Sequence, residues 1–308
     1  MIQWFPGHMY KASKEVKKIL PQVHLLIEVL DARLPFSSQN PMLDRLRGDK
    51  PSIKILNKCD LADPDRTRQW QHFLEQRQGI KTLALSSAEP ARVKTIIELS
   101  RKLIPSRLNR GEDIHALICG IPNVGKSTII NHLSGRTIAK TGNEPAVTKN
   151  QQRIDLGQGL VLIDTPGMLW GNIENENSGY RLALSGAIKD TALDHEDVAW
   201  FAAEWLLKEY SSNLMRRYQL DQAPLTEQQL LDQIGRFRGC LRAGAEVDLA
   251  KVSSLLIREF RSGELGEITL ETPEIMEREL EQLALIRVEK AARKTAKKMD
   301  RKKNRNKR

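Results

Sequence analysis

The chain has 308 residues, 40% hydrophobic and 29% charged, with a formal net charge of +10. That suffices for one large or two modest globular domains, and no apolar run of spanning length and no signal peptide is read in it. Cys59, Cys119 and Cys240 show neither CxxC spacing nor a local histidine cluster, which argues against a structural zinc site and for a reduced, cytosolic protein.

In chain order, residues 9–20 read as a helix and VHLLIEVLD (23–31), an apolar run with β-branched members, as a buried parallel strand. SIKILN (52–57), TLALSS (82–87), IHALICG (114–120) and GLVLID (159–164) repeat the strand pattern, with helical patterns at 65–77, 90–103 and 126–135 between them. Strands alternating with helices predict an α/β fold, a doubly wound and mainly parallel sheet over residues 1–173. After DTPGMLWGN the strand pattern fades. Residues 194–210 place Val198, Phe201, Ala202, Trp205 and Leu206 on one stripe; Thr226 and Gln229 are spaced as a capping box; Asp248 is a good N-cap for 248–260. A smaller, mostly helical domain over 174–285 and a basic tail over 286–308 are expected.

The chemistry is concentrated in five short stretches. GIPNVGKST, with Gly120, Gly125, Lys126 and Ser127 at phosphate-loop spacing, lies between a strand and a helix, the context this motif requires. Backbone N–H groups of Asn123, Val124, Gly125, Lys126, Ser127 and Thr128 can wrap the phosphates at the helix N-terminus. Lys126 would neutralise the β- and γ-phosphates and Ser127 would ligate Mg²⁺. Asp164-Thr165-Pro166-Gly167 ends a strand: Asp164 can hold the Mg²⁺ hydration shell, and the Gly167 N–H can reach the γ-phosphate. Thr148, in the polar loop between, is the natural first-switch ligand of Mg²⁺. Asn57-Lys58-Cys59-Asp60 reads as the guanine element: Asp60 would accept two hydrogen bonds that adenine cannot supply, Lys58 would lie along the base, and Asn57 would brace the loop. Ser86-Ser87-Ala88, after the next strand, matches the element whose backbone N–H meets the guanine oxygen.

These parts occur in rotated order: guanine elements, phosphate loop, first switch, second switch. The sequence therefore predicts a circularly permuted P-loop GTPase domain.

That order, with QWFPGHM (3–9), LDARLP (30–35), GIPNVGKST and DTPG, resembles the circularly permuted RbgA/YlqF family of ribosome-biogenesis GTPases. The likeness extends to FRSGELGEITLE (260–271) in the helical part. It implies a bacterial cytoplasmic GTPase acting late in assembly of the large ribosomal subunit. It also implies that His8 takes part in hydrolysis, although the residues alone read equally as a surface-turn histidine. Met168 stands where many GTPases carry a water-positioning glutamine; a thioether cannot orient water, so turnover alone should be slow. Asn123 matches the asparagine that related GTPases use with a K⁺ ion. Ala146, where relatives often have glycine, leaves the first-switch backbone less free.

Between Arg287 and Arg308 stand twelve Lys or Arg against two acids, Glu289 and Asp300, the whole excess of charge, while the other residues balance 37 basic against 37 acidic. Lys290, Arg293, Lys294, Lys297, Lys298 and Arg301 recur at helical spacing. The tail offers no Trp, Phe or Leu for a membrane surface and no aromatic ring for stacking single-stranded bases, so phosphates of structured rRNA fit it best. A solvated, disordered tail is the bland alternative. For the whole chain the alternative is a GTP-gated RNA-binding module whose hydrolysis is incidental.

Overall fold

The computed structural model describes residues 2–86, 89–138 and 152–305, without the side chains of 295–305. Its elements are α1 (Gly7–Ile19), β1 (Leu25–Asp31), α2 (Pro41–Arg47), β2 (Ser52–Asn57), α3 (Pro64–Glu75), β3 (Ile80–Leu85), α4 (Pro90–Val93), α5 (Thr95–Leu103) and α6 (Pro105–Leu108). Then come β4 (Ile114–Gly120), α7 (Lys126–Ser134), β5 (Gln152–Asp155), β6 (Leu160–Asp164), α8 (Glu176–Ser185), α9 (His195–Glu209), α10 (Ser211–Tyr218), α11 (Glu227–Phe237), α12 (Leu249–Ser262) and α13 (Pro273–Arg305).

The strand order is β3-β2-β1-β4-β6-β5, parallel except for β5, which pairs antiparallel to β6. β1 is buried along its whole length, as a strand covered on both faces must be. The permutation is visible here. β4, which carries the phosphate loop, lies between β1 and β6, and the three strands before it in sequence form one continuous side of the sheet. The C-terminal ends of β1, β2, β3, β4 and β6 therefore share one rim, where an open α/β sheet binds its ligand.

Helix starts follow their caps. Asp63, Asn175, Asp194 and Asp248 each accept a backbone N–H of the following first turn, and Gly186 and Gly263 end α8 and α12 in the left-handed conformation. Thr226 Oγ1 accepts from Gln229 N at 3.2 Å, but Gln229 Oε1 accepts from Leu225 N at 2.9 Å. The capping box thus reaches one residue earlier than its strict form.

One apolar core runs from Met9, Val29 and Ile118 through Leu169 and Ile173 to Leu182, Ala202 and Leu256. The helical region packs directly on the sheet region through this core. A second, smaller core around Trp70 and Leu74 takes in Met276 of α13. The charge-rich residues from 286 onward continue α13 without a break as far as Arg305.

Candidate nucleotide site

The phosphate loop is shaped by its neighbours. A Cβ on Gly120 would stand 2.6 Å from the Val29 carbonyl of β1, so β4 can end beside β1 only with glycine there. Asn123 and Gly125 both take positive φ, 58° and 92°, which turns the chain into α7. No acid occupies the first turn of α7, so the positive end of the helix and its N–H groups face the loop. Ser127 and Thr128 are half-buried on that turn.

Lys126, almost fully buried, forms an ion pair with Asp164 at the end of β6. Burial pushes the Asp164 carboxyl above its ordinary value, with Lys126 opposing. The other Asp164 oxygen, Oδ2, is buried with no hydrogen-bond partner among the described residues. A buried carboxylate oxygen left open beside the Ser127 turn suits a hard divalent cation. Thr165 Oγ1 donates to the Ile118 carbonyl at 2.9 Å, Met168 N donates to the Gly120 carbonyl at 3.1 Å, and a Cβ on Gly167 would meet Pro122 Cα at 3.0 Å. The DTPG segment therefore lies against the phosphate loop. Met168 itself is buried, its thioether in the core.

The guanine element meets the phosphate loop directly. Asn57, fully buried at the end of β2, donates from Nδ2 to the Val124 carbonyl at 2.6 Å, across 67 residues of sequence. Lys58 is held in the left-handed conformation, φ 60°, and Asp60 stands exposed on the turn that follows. Ser86 is buried at the end of β3. Ser87, Ala88, Ala146 and Thr148 lie outside the described residues.

His8 is exposed on the first turn of α1. Its neighbour Met9 is buried, and Met9 Sδ accepts from Leu169 N at 3.5 Å. Gln3 pairs twice with Ile173, Nε2 to its carbonyl at 2.8 Å and Oε1 from its N–H at 3.2 Å, and the Phe5 ring packs on Gly171. The N-terminal segment thus lines the exit of the second switch, an arrangement no local pattern signals.

Two further arrangements are not announced by any local sequence pattern. Asp31 and Arg33 of LDARLP form a buried cluster with Lys58, described below. Asn123 Nδ2 donates to the carbonyl of Gly186, the residue ending α8, at 2.8 Å. Beside it opens a cleft of about 640 Å³ whose walls include Lys58, Asn123, Lys189, Asp190, Arg258 and Arg261. Its volume falls within the range of small-ligand sites, and its charged residues are cations except for Asp190. The glycine after ALS at 183–185 was the available signal for this helix end.

In the C-terminal helix Lys290, Arg293 and Lys294 are exposed, while the side chains of Lys297, Lys298 and Arg301 lie outside the described residues. No helix among the described residues is long and apolar enough to cross a membrane.

Residues 115–219 match the family model described as 50S ribosome-binding GTPase. A ribosome biogenesis GTPase A from Bacillus pumilus is 42% identical over 280 residues, covering 89% of this chain and 99% of that protein. One from Priestia megaterium is 44% identical over 287 residues, covering 91% and 99%. The crystal structure of GNP-bound YlqF from T. maritima superposes with a TM-score of 0.60 at 29% identity, covering 86% of this chain and 99% of that one.

Proposed function

This chain belongs to the ribosome biogenesis GTPase A family, and from that premise we propose that its GTP hydrolysis serves maturation of the large ribosomal subunit, with nucleotide state controlling rRNA binding. That it is a GTPase of ribosome assembly follows from the family. The name of the matching model, which specifies the 50S particle, supports the finer reading.

The observation that carries the site is the Asn57–Val124 hydrogen bond. It joins elements written in rotated order into one nucleotide cradle at the rim of the sheet. In the proposed site Asn57, Lys58, Asp60, Ser86, Ser87 and Ala88 hold guanine, and residues 123–128 hold the phosphates. Ser127, Thr148 and Asp164 would hold Mg²⁺, which supplies charge neutralisation at the phosphates. Asn123 would contribute to a K⁺ site, the cation standing in for an arginine finger.

The protein's own groups then divide the work. Lys126 leaves Asp164 for the phosphates, and the Gly167 N–H meets the γ-phosphate. Met168 is turned into the core, so the water must be oriented by another group, and His8 is the assigned one. Met9–Leu169 and Gln3–Ile173 hold the helix of His8 against the second switch. Loss of the γ-phosphate releases Thr148 and Gly167, and the change passes through residues 169–175 to α8. The exposed Lys290, Arg293 and Lys294, with Lys297, Lys298 and Arg301, supply the phosphate contacts to rRNA.

Cosedimentation with purified large subunits tests this reading. Binding should be strong with a non-hydrolysable GTP analogue and weak with GDP. Equal binding in both states would contradict nucleotide control.

A further inference from the structure

Neither the phosphate chemistry nor the switches make use of Asp31 and Arg33. Asp31 ends β1 directly opposite Asn57 in the β1–β2 register, one residue before Lys58. Its Oδ1 accepts from Arg33 Nε at 2.9 Å, and its Oδ2 accepts from Arg33 Nη2 at 2.8 Å and from Lys58 Nζ at 2.9 Å. Asp31 and Arg33 are fully buried, whereas Lys58 keeps 20% of its side chain exposed. Burial pushes the Asp31 carboxyl up, but Arg33 and Lys58 outweigh it and hold the group well below the ordinary carboxylate range.

Arg33 faces a second way. Its Nη1 donates to the Phe260 carbonyl at 3.2 Å, and its guanidinium lies 4.7 Å from the centre of the Phe260 ring. Phe260 stands in the last turn of α12, where the helix end is negative and its carbonyl accepts from Gly263 N at 3.3 Å as well as from Arg33. Leu270 N, beyond α12, donates to the Arg33 carbonyl at 2.7 Å. A continuous chain of charge-assisted bonds thus runs from Lys58 through Asp31 and Arg33 to α12.

We propose that Asp31 and Arg33 are positioning residues for nucleotide binding: Asp31 fixes the Lys58 side chain where the guanine plane will lie, and Arg33 links that state to the end of α12. This rests on the assignment of Asn57, Lys58 and Asp60 to guanine. A lysine left free would have to be ordered by the incoming base, and that ordering is already done in the folded protein. Releasing Lys58 should weaken nucleotide binding about 10- to 30-fold, or about 1.4–2.0 kcal/mol at roughly 1.4 kcal/mol per decade. By reciprocity, bound nucleotide must stabilise the end of α12.

The test titrates fluorescent GDP, and its inosine counterpart lacking the 2-amino group, into the wild type, Asp31→Asn, Phe260→Leu and Asp60→Asn. Hydrogen exchange of residues 257–263 is followed with and without GDP. Asp31→Asn should weaken both nucleotides by the same factor, because Lys58 meets the base plane and not its edge. Phe260→Leu, on α12, should weaken GDP at least threefold. GDP should slow exchange at 257–263 in the wild type and fail to do so in Arg33→Lys. A folded Asp31→Asn protein within twofold of wild-type affinity, or exchange at 257–263 unmoved by GDP, overturns the proposal. Should Asp31→Asn not fold, Phe260→Leu and the wild-type exchange decide it. If Asp60→Asn leaves the preference for GDP over the inosine nucleotide intact, the guanine assignment falls and the proposal with it. If Asp60→Asn abolishes that preference while Asp31→Asn is silent, the proposal alone falls.

Discussion

Arg181 offers the sharpest perturbation of how the segment after the second switch is anchored. It is 2% exposed on α8, with Glu271 at 3.2 Å and Glu279 at 2.7 Å. Glu271 also accepts from the backbone N–H groups of Phe36 and Ser37 in the loop after β1. Glu279, on α13, accepts from Asn175 and Asn177 at 2.6 and 2.9 Å. One guanidinium therefore sits between two buried carboxylates, Glu271 just before α13 and Glu279 within it. Replacing it by Met leaves both without a counter-charge, a change that costs about 3–5 kcal/mol. At this size that corresponds to a fall in Tm on the order of 10 °C.

The sign with pH follows from the two acids. Burial holds Glu271 above its ordinary 4.5 even with Arg181 opposing, so it costs stability as pH rises through that value. For Glu279 burial is outweighed by Arg181 and the asparagines, so it adds stability above 4.5 that is lost as pH falls. Without Arg181 both folded values move up, and the deficit of Arg181→Met should be larger at pH 8 than at pH 5. Thermal unfolding by circular dichroism at the two pH values measures this. Arg236→Ala, on an exposed pair with Asp232, is the control and should cost less than about 1 kcal/mol. A Tm loss below about 2 °C, or one independent of pH, would refute the reasoning.

Three other outcomes are expected. Asp60→Asn should weaken GTP roughly 100-fold, since the carboxylate that would accept from the guanine edge is lost, and should gain xanthosine triphosphate, whose second oxo group can accept from the new amide; competition binding reads both. Hydrolysis should be faster in K⁺ than in Na⁺ at equal ionic strength, and equal rates would remove Asn123 from a cation site. Truncation after Leu285 should weaken particle binding and flatten its dependence on log salt, because twelve Lys or Arg are removed; an unchanged slope would exclude the helix end from rRNA contact.

The parallel strands were legible because burial on both faces leaves a predominantly apolar run, as in LLIEVLD, where only Glu28 and Asp31 are charged. The phosphate loop and guanine element were legible because each is a local spacing. β5 was not: QRID is a short edge strand with one buried residue, Ile154, and shows no pattern. α8 hid its core face behind buried Ser178 and Arg181, polar residues whose partners lie about a hundred or more residues away. Pairings such as Gln3 with Ile173 and Arg33 with Phe260 join distant segments, and nothing in either segment alone announces them. Charge set residues 286–308 apart, yet helical continuity does not depend on charge, and α13 runs through.

The most direct test is GTP hydrolysis in K⁺ buffer, with and without purified large ribosomal subunits, for the wild type and His8→Ala. The account expects slow turnover alone, strong stimulation by the particle, and loss of that stimulation in His8→Ala with GTP binding retained. Tight GTP binding with no stimulation by the particle would contradict it, and would leave a nucleotide-gated RNA-binding module with His8 as an exposed residue of the first helical turn.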